Sequence, residues 1–404
     1  MTRNPWYNLT LTTVTPMFLG RFTSENPREQ NGQIPFPVPS LRGVLAYWLR
    51  ALAGAHVGDD LGRLAKTEAA VFGGARSADS GGPSTIWLRG RRPIGVKEFA
   101  PRSADNRYRI AYLMGPGLYG AQPAARCVDG ARTIQLDVRN TGTTVHADLF
   151  LSALWALRTF GGIGARARRG FGTVSVDGLS LRLPSKRFDM EWLKRNSADD
   201  LNAVLLCVGD CIGQLDIPIG TEGSSQPGYP RFDLSGEWHL LESDIAIPEV
   251  VNAEEALAWT SERLREFRLD GDENPNTAGW RDIVRPYLDG RGFSGQFRAG
   301  ALGLPVVYTE KAKQLGATGR SATVQPVVAG QPSRRASPLW LRVHGRGKNW
   351  WLRSLAFNAT WLPDDGTSLQ IKANSGVNRP SRPVSPPSRE VIRQELERWF
   401  TRWK

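Results

Sequence analysis

From residue 7 to residue 176 the apolar residues change period in a fixed order, and that order limits the folds open to the chain. In NLTLTTV, Leu9 and Leu11 alternate with threonines, the two-residue period of a half-buried strand. In PSLRGVLAYWLRAL, Leu41, Val44, Leu45, Trp48, Leu49 and Leu52 recur at helical spacing, with Ser40 placed to cap the helix. STIWLRGR near residue 84 and RYRIAYLM near residue 107 read as strands, and RTIQLDVRN more sharply so, since Ile134, Leu136 and Val138 alternate with polar neighbours. HADLFLSALWALRTF sets Leu149, Phe150, Ala153, Leu154, Leu157 and Phe160 on one helical face that stops at Gly161 and Gly162, and GTVSV returns to strand. The order is β-α-β-β-α-β with one strand in excess, the split βαβ or ferredoxin-like arrangement of an α+β fold.

The second half is less regular. A helix is expected from Ala253 to Phe267, strands at GLPVVY, ASPLWLRVH and NWWLRSLAFNATWL, and a closing helix at REVIRQELERWFTRW with Ile392, Leu396, Trp399, Phe400 and Trp403 on one side. Glycine, proline, serine and asparagine crowd residues 217–230, 271–279 and 374–388, which read as loops or disorder. A length of 404 residues exceeds one ordinary core, so two domains are expected, 1–183 and 184–404, the second an α+β domain with long flexible loops.

Charge gives the first functional hint. The 52 lysines and arginines outnumber 39 aspartates and glutamates, a net +13 that favours a polyanionic partner. A basic protein without such a partner is the alternative. Cys127, Cys207 and Cys211 lack the spacing of a disulfide framework or a zinc site and are expected as free, buried thiols in a reducing cytoplasm. MTRNPWYNLTLTTV has no long apolar stretch and no run of 18 apolar residues occurs, so neither secretion nor a membrane span is expected.

The positive charge finds a candidate site in GGIGARARRGFGTVSV, residues 161–176. Gly162 to Ala167 formally match the dinucleotide fingerprint, but that motif runs from strand through turn to helix and here the helix comes first. A phosphate-cradling Walker loop would need Gly-Lys-Ser/Thr, which is absent. What remains is a backbone platform for an extended phosphodiester: glycines admit close approach and offer N–H groups, while Arg158, Arg166, Arg168 and Arg169 supply fork-shaped donors. A mobile connector with solvated arginines is the plainer alternative. A second candidate is the start of the helix at Ser40, where Arg42 opposes the helix dipole unless an anion binds there, with Gly43 giving it room. An exposed arginine tolerated at a cost of a few tenths of a kcal/mol is the alternative.

Catalytic signals are weak. His56, His146, His239 and His344 are scattered without metal-binding spacing, and His146, which could act as a base in RNA cleavage, stands where capping is the commoner use. Asp59-Asp60 and Asp364-Asp365 read as polar loop residues rather than metal ligands. No active site, metal or cofactor is expected.

Several motifs coincide in order: TVTPMFLG, PSLRGVLAYWLRAL, EAAVFGG at 68–74, YLMGPG at 112–117, GGIGARARRGFGTV, and further on GLPVVY and ASPLWLRV. Together they resemble the RAMP proteins of type III CRISPR effector complexes, nearest the first-subunit group of the type III-B (Cmr) complex, over residues 10–343. The resemblance implies tandem ferredoxin-like, RRM-related domains. It also implies a non-catalytic subunit that holds the 3′ region of the guide RNA and helps capture target RNA, partnered by other Cmr subunits and away from membranes. By motif match it carries RNA contacts over to Ser40, Arg42, Gly43, Gly161, Gly162, Gly164, Arg166, Arg168, Arg169 and Gly170. The chain departs from the family at PFPV, where an acidic residue and an arginine are usual before Pro-Ser, and at Ala46, where arginine is usual. A metal-independent endoribonuclease that processes the guide precursor, with His146 or His56 as base, is the rival reading.

Overall fold

Leu9 and Leu11 are buried with Ile134, Leu136 and Val138 across the ladder, so the alternation in the sequence does seat one sheet face on a core. The computed structural model describes residues 5–19, 31–74, 82–100, 104–115, 118, 125–179, 188, 192–193, 197–220, 227–241, 244–269, 279–309, 319–362 and 367–403. In chain order its main elements are β1 (Tyr7–Thr13), α1 (Val38–Val57), α2 (Leu61–Phe72), β2 (Ile86–Gly90), α3 (Ala104–Met114), β3 (Thr133–Asn140), α4 (Thr144–Phe160), β4 (Val174–Leu179) and α5 (Leu201–Gln214). There follow β5 (His239–Leu241), β6 (Ile245–Ile247), α6 (Ala253–Leu269), β7 (Val306–Thr309), β8 (Ser321–Val328), β9 (Leu339–Arg346), β10 (Asn349–Phe357), β11 (Ser368–Ser375) and α7 (Arg389–Arg402).

The N-terminal sheet is antiparallel with order β2-β3-β1-β4. Each βαβ unit is split by a strand of the other: β3 separates β1 from β2, and β1 separates β3 from β4, as the ferredoxin-like reading requires. Helix α4 is buried almost from end to end, including Trp155 and Phe160, because α1 and α5 both pack against it. In the second half the ladder β6-β10-β9 repeats the order of the first three strands, and β5 also pairs with β10, which makes the sheet four-stranded.

Two sequence expectations change. RYRIAYLM lies in helix α3, and the physical reason is visible in its buried residues, since Ile110, Leu113 and Met114 fall at helical spacing. Ser40 does not cap α1: the helix starts at Val38 behind Pro37, with Pro39 in its first turn, which puts Ser40 inside the helix.

The chain divides into two compact units, one of residues 1–227, 231–262 and 340–355, the other of 228–230, 263–339 and 356–404. The boundary expected between residues 183 and 184 lies outside the described residues. In the second unit β8 pairs with β7 and β11, and Phe267 packs edge-on against Trp399 at 5.2 Å. Its buried Glu395 receives both Arg298 and Arg398. Residues 221–226 and 271–278, expected as loops, lie outside the described set, and 374–388 is ordered, with Arg382–Pro383 pairing with β11. Among the described residues no helix is long and apolar enough to cross a membrane. All three cysteines are buried thiols outside any disulfide, and burial pushes the Cys127 thiol up to about 12.

Candidate nucleic-acid interface

The glycine-rich segment connects α4 to β4 and is tied into the fold along its length. The Ala165 N–H donates to the Phe18 carbonyl at 2.8 Å, Gly172 to Pro16 at 2.9 Å, Ile163 to Gly172 at 2.8 Å, and Leu341 to the Arg168 carbonyl at 3.1 Å. The glycines follow from these close approaches. A Cβ at Gly161 would lie 2.5 Å from Trp48 Nε1, one at Gly162 2.7 Å from the Phe171 carbonyl, and one at Gly170 3.0 Å from Val343. At Gly164 and Gly172, whose φ values are 94° and 66°, a Cβ would run into the carbonyls of Phe18 and Ile163. Internal packing, rather than the approach of a phosphodiester, therefore accounts for glycine at these positions. The segment is not the mobile connector that its composition allows.

The three loop arginines are half-buried and go to different places. Arg168 lies over Trp340, with its guanidinium carbon 4.7 Å from the indole centroid, and 5.7 Å from the ring of Tyr47. Arg169 donates to the Tyr112 carbonyl near the end of α3, at 3.2 Å. Arg166, at φ 63°, places its guanidinium against Gly115 at the same helix end, where a cation complements the dipole.

Arg158 is not beside them. The sequence placed it as a fourth donor, but α4 is enclosed and Arg158 is only 7% exposed, so burial, reinforced by Arg353, lowers its pKa to about 10. It belongs with two cations the sequence reading missed. Arg342 is fully buried, its pKa held well below the ordinary value by burial, and it donates to the Gly161 carbonyl at 2.8 Å and the Val174 carbonyl at 3.0 Å. One guanidinium thus clamps both ends of the loop. Arg353 donates to the Thr159 carbonyl at 3.2 Å and forms a two-pronged pair with Asp244, both contacts at 2.7 Å. Burial would raise the Asp244 pKa, but hydrogen bonds from His344 and Arg353 outweigh it and hold the carboxyl at about 2. The available signal was an arginine inside the apolar run LWLRVH.

The start of α1 is more open. Ser40, Arg42 and Gly43 are exposed, and a Cβ at Gly43 would meet nothing within 4 Å. Its first turn offers few unpaired backbone donors: Pro39 has no N–H, Val38 donates to Phe36 at 2.8 Å, and Ser40 to Pro37 at 2.9 Å. Ser40, Gly43 and Tyr47 succeed one another at helical spacing of three and four, so one face of α1 runs from the exposed first turn to the ring that carries Arg168. Over seven residues that stripe is about 10 Å long. Tyr47 and Trp340, 5.4 Å apart, complete it and were not singled out in the sequence.

Each histidine serves an internal contact. His56 is buried with Nε2 2.7 Å from the Leu205 carbonyl. His146 Nδ1 accepts the Thr143 N–H at 3.0 Å, capping α4. His239 lies 2.9 Å from Asp233, and His344, with its pKa depressed to about 4 by burial against the opposing pull of Asp244, is 3.0 Å from that carboxylate. Asp60 caps α2 through the Arg63 N–H and Asp59 faces Arg231 at 3.5 Å, while Asp364-Asp365 lie outside the described residues.

A split-βαβ sheet whose last helix and strand are joined by a packed glycine-arginine loop is the architecture of a RAMP protein, and residues 10–175 match the model of the RAMP superfamily. Two curated relatives from Pyrococcus furiosus are similar in sequence. The CRISPR system Cmr subunit Cmr1-1 is 27% identical over 203 residues, 49% of this chain and 56% of the relative, so the match spans little more than half of that protein. Cmr1-2 is 31% identical over 184 residues, 41% of this chain and 92% of the relative. The chain belongs to the Cmr1 family of RAMP proteins. Its fold is that of the crystal structure of Cmr1 from Pyrococcus furiosus in the apo form, with a TM-score of 0.53, 19% identity, and coverage of 91% of this chain and 98% of that one.

Proposed function

We propose that this chain is a non-catalytic RNA-binding subunit of a cytoplasmic type III-B (Cmr) CRISPR ribonucleoprotein, holding the 3′ region of the guide RNA and aiding capture of target RNA beside other Cmr subunits. The observation that carries the reading is the layer of Arg168 on Trp340 and Tyr47 at the end of the open α1 stripe. A guanidinium stacked on an indole keeps its N–H groups in the plane of the stack, where they can meet phosphate oxygens. Gly43 leaves the stripe clear for a backbone to lie along it, and Ser40 and Arg42 add donors at its other end. Family membership supports the same assignment, since both curated relatives are Cmr subunits of a CRISPR system.

The test mixes the protein with end-labelled single-stranded guide RNA in EDTA at several salt concentrations and runs native and denaturing gels on the same samples. Intact RNA is expected, with affinity falling as salt rises. Arg168→Ala should weaken binding about tenfold and reduce the log-log salt slope by about 0.7, one phosphate contact on a single strand. Unchanged affinity with a native melting curve would remove Arg168 from the site, and discrete cleavage in EDTA would replace this reading with an endoribonuclease.

A further inference from the structure

The face of the N-terminal sheet opposite its buried residues is decorated in an unusual way. Paired residues of an antiparallel ladder share a face, so the register places Trp87 with Arg139, and Arg89 with Asp137 and Asn8. Trp87, within the edge strand β2, is 50% exposed, and Trp6, just before β1, is 37% exposed. Arg89 lies flat over Trp6 at 4.4 Å, and Arg139 reaches the same ring at 6.0 Å. Asp137 takes Arg89 at 2.8 Å and Arg91 at 3.4 Å, so on the β2-β3 half three guanidinium groups face one carboxylate. Among the described residues the other carboxylate on this face, Asp177, stands on the far edge strand β4 and accepts from Ser175 at 2.7 Å.

From this juxtaposition the geometry points to a second RNA-binding surface, separate from the loop and the α1 stripe: Trp87 stacks an unpaired base, and Arg89, Arg91 and Arg139 receive the neighbouring phosphates. Three features select single-stranded nucleic acid as the occupant rather than another protein. The centre of a protein interface is rich in apolar side chains, whereas the face between Trp87 and β4 presents Asn8, Thr10, Thr12 and Gln135, which offer donors and acceptors but no large apolar side chain. Excess cation on the half that carries Trp87 complements phosphate. A half-exposed indole beside stacked arginines is the arrangement on which bases of any sequence can lie. The surface would extend the path of the RNA beyond the contacts proposed above, and its existence does not depend on them.

The experiment uses the full chain and a fluorescein-labelled 15-nucleotide single-stranded RNA containing 5-bromouridine. Trp87→Ala is expected to weaken binding roughly fivefold or more, in line with the loss of one base stack, and Trp87→Phe to restore most of it. Photo-crosslinking should label the tryptic peptide spanning residues 77–89. Wild-type affinity in Trp87→Ala together with no crosslink in that peptide would overturn the inference and leave the face as a surface for a neighbouring protein. Arg168→Ala run in parallel separates the two proposals. Loss there alone retains the loop site and removes the sheet face, loss at Trp87 alone does the reverse, and no binding by the wild-type chain at low salt overturns both.

Discussion

The glycine-rich loop and the open sheet face use the same residue types to opposite ends. In the loop, arginines and aromatics are drawn into the fold: Arg166 and Arg169 settle at the end of α3, and Arg342 holds both loop ends from within. On the sheet face Arg89 and Trp87 remain substantially exposed, with side-chain exposure of 58% for Arg89. The difference teaches that a run of glycine and arginine can be a framework as well as a binding site. In the loop the function proposed above gives Arg168 both roles, as part of the packing against Trp340 and as a donor to RNA.

The comparison breaks first if the loop is not a framework. Gly172→Ala puts a methyl group into the Ile163 carbonyl at a positive φ, and the expected loss is about 3 kcal/mol of stability, read by chemical denaturation. A variant that melts like the parent would show that the loop yields easily and that its glycines serve something outside the fold.

Next in size is the cation cluster behind the loop. Asp244→Asn leaves Arg353 short of its counter-charge, with Arg158 and Arg342 also buried nearby, and should cost about 3 kcal/mol at neutral pH. The pH dependence has a definite sign. Asp244 is depressed from 3.8 to about 2 and His344 from 6.5 to about 4, so the folded state binds fewer protons than the unfolded chain between pH 6.5 and 2. The contribution of both groups is complete above pH 6.5 and is lost as pH falls through that window, first at His344 and then at Asp244. In melting curves from pH 7 to pH 2.5, Asp244→Asn should lose the step that belongs to the carboxyl, while the step that belongs to His344 deepens because Asp244 no longer raises the imidazole pKa.

The smallest effect sharpens the comparison most. Gly43 is exposed, helical and unobstructed, so Gly43→Ala should raise stability by about 0.5–1 kcal/mol through helix propensity. If RNA lies along the α1 stripe, the same methyl group should weaken binding. A gain in melting temperature with unchanged RNA affinity would move the RNA path off α1.

The β-α-β-β-α-β order was legible because Leu9, Leu11, Ile134, Leu136 and Val138 keep a strict period of two, and α1 a helical one. RYRIAYLM misled because Ile110, Leu113 and Met114 are too few to show a period in so short a segment. Helix α5 also went unread, although Leu201, Val204, Leu205, Val208, Cys211 and Ile212 are buried at helical spacing, and exposed Leu206 blurs that pattern in the sequence. The loop stood out in the sequence, but the contacts its residues make did not. Tyr47, Trp340 and Arg342 come to it from an early helix and a late strand, a proximity that no local pattern records.

Legible from the residues alone were the four strands of the split sheet with helices α1 and α4, though not α2 and α3, the basic character of the chain, and its kinship with the RAMP proteins, because period, charge and motif are local or additive properties. Only the tertiary structure decided which arginines are structural and which are presented, that Arg158 is buried, and that Trp87 stands on an open face. Burial depends on what the rest of the chain places against a residue, and those neighbours can lie far along it, as Arg353 does at 194 positions from Thr159.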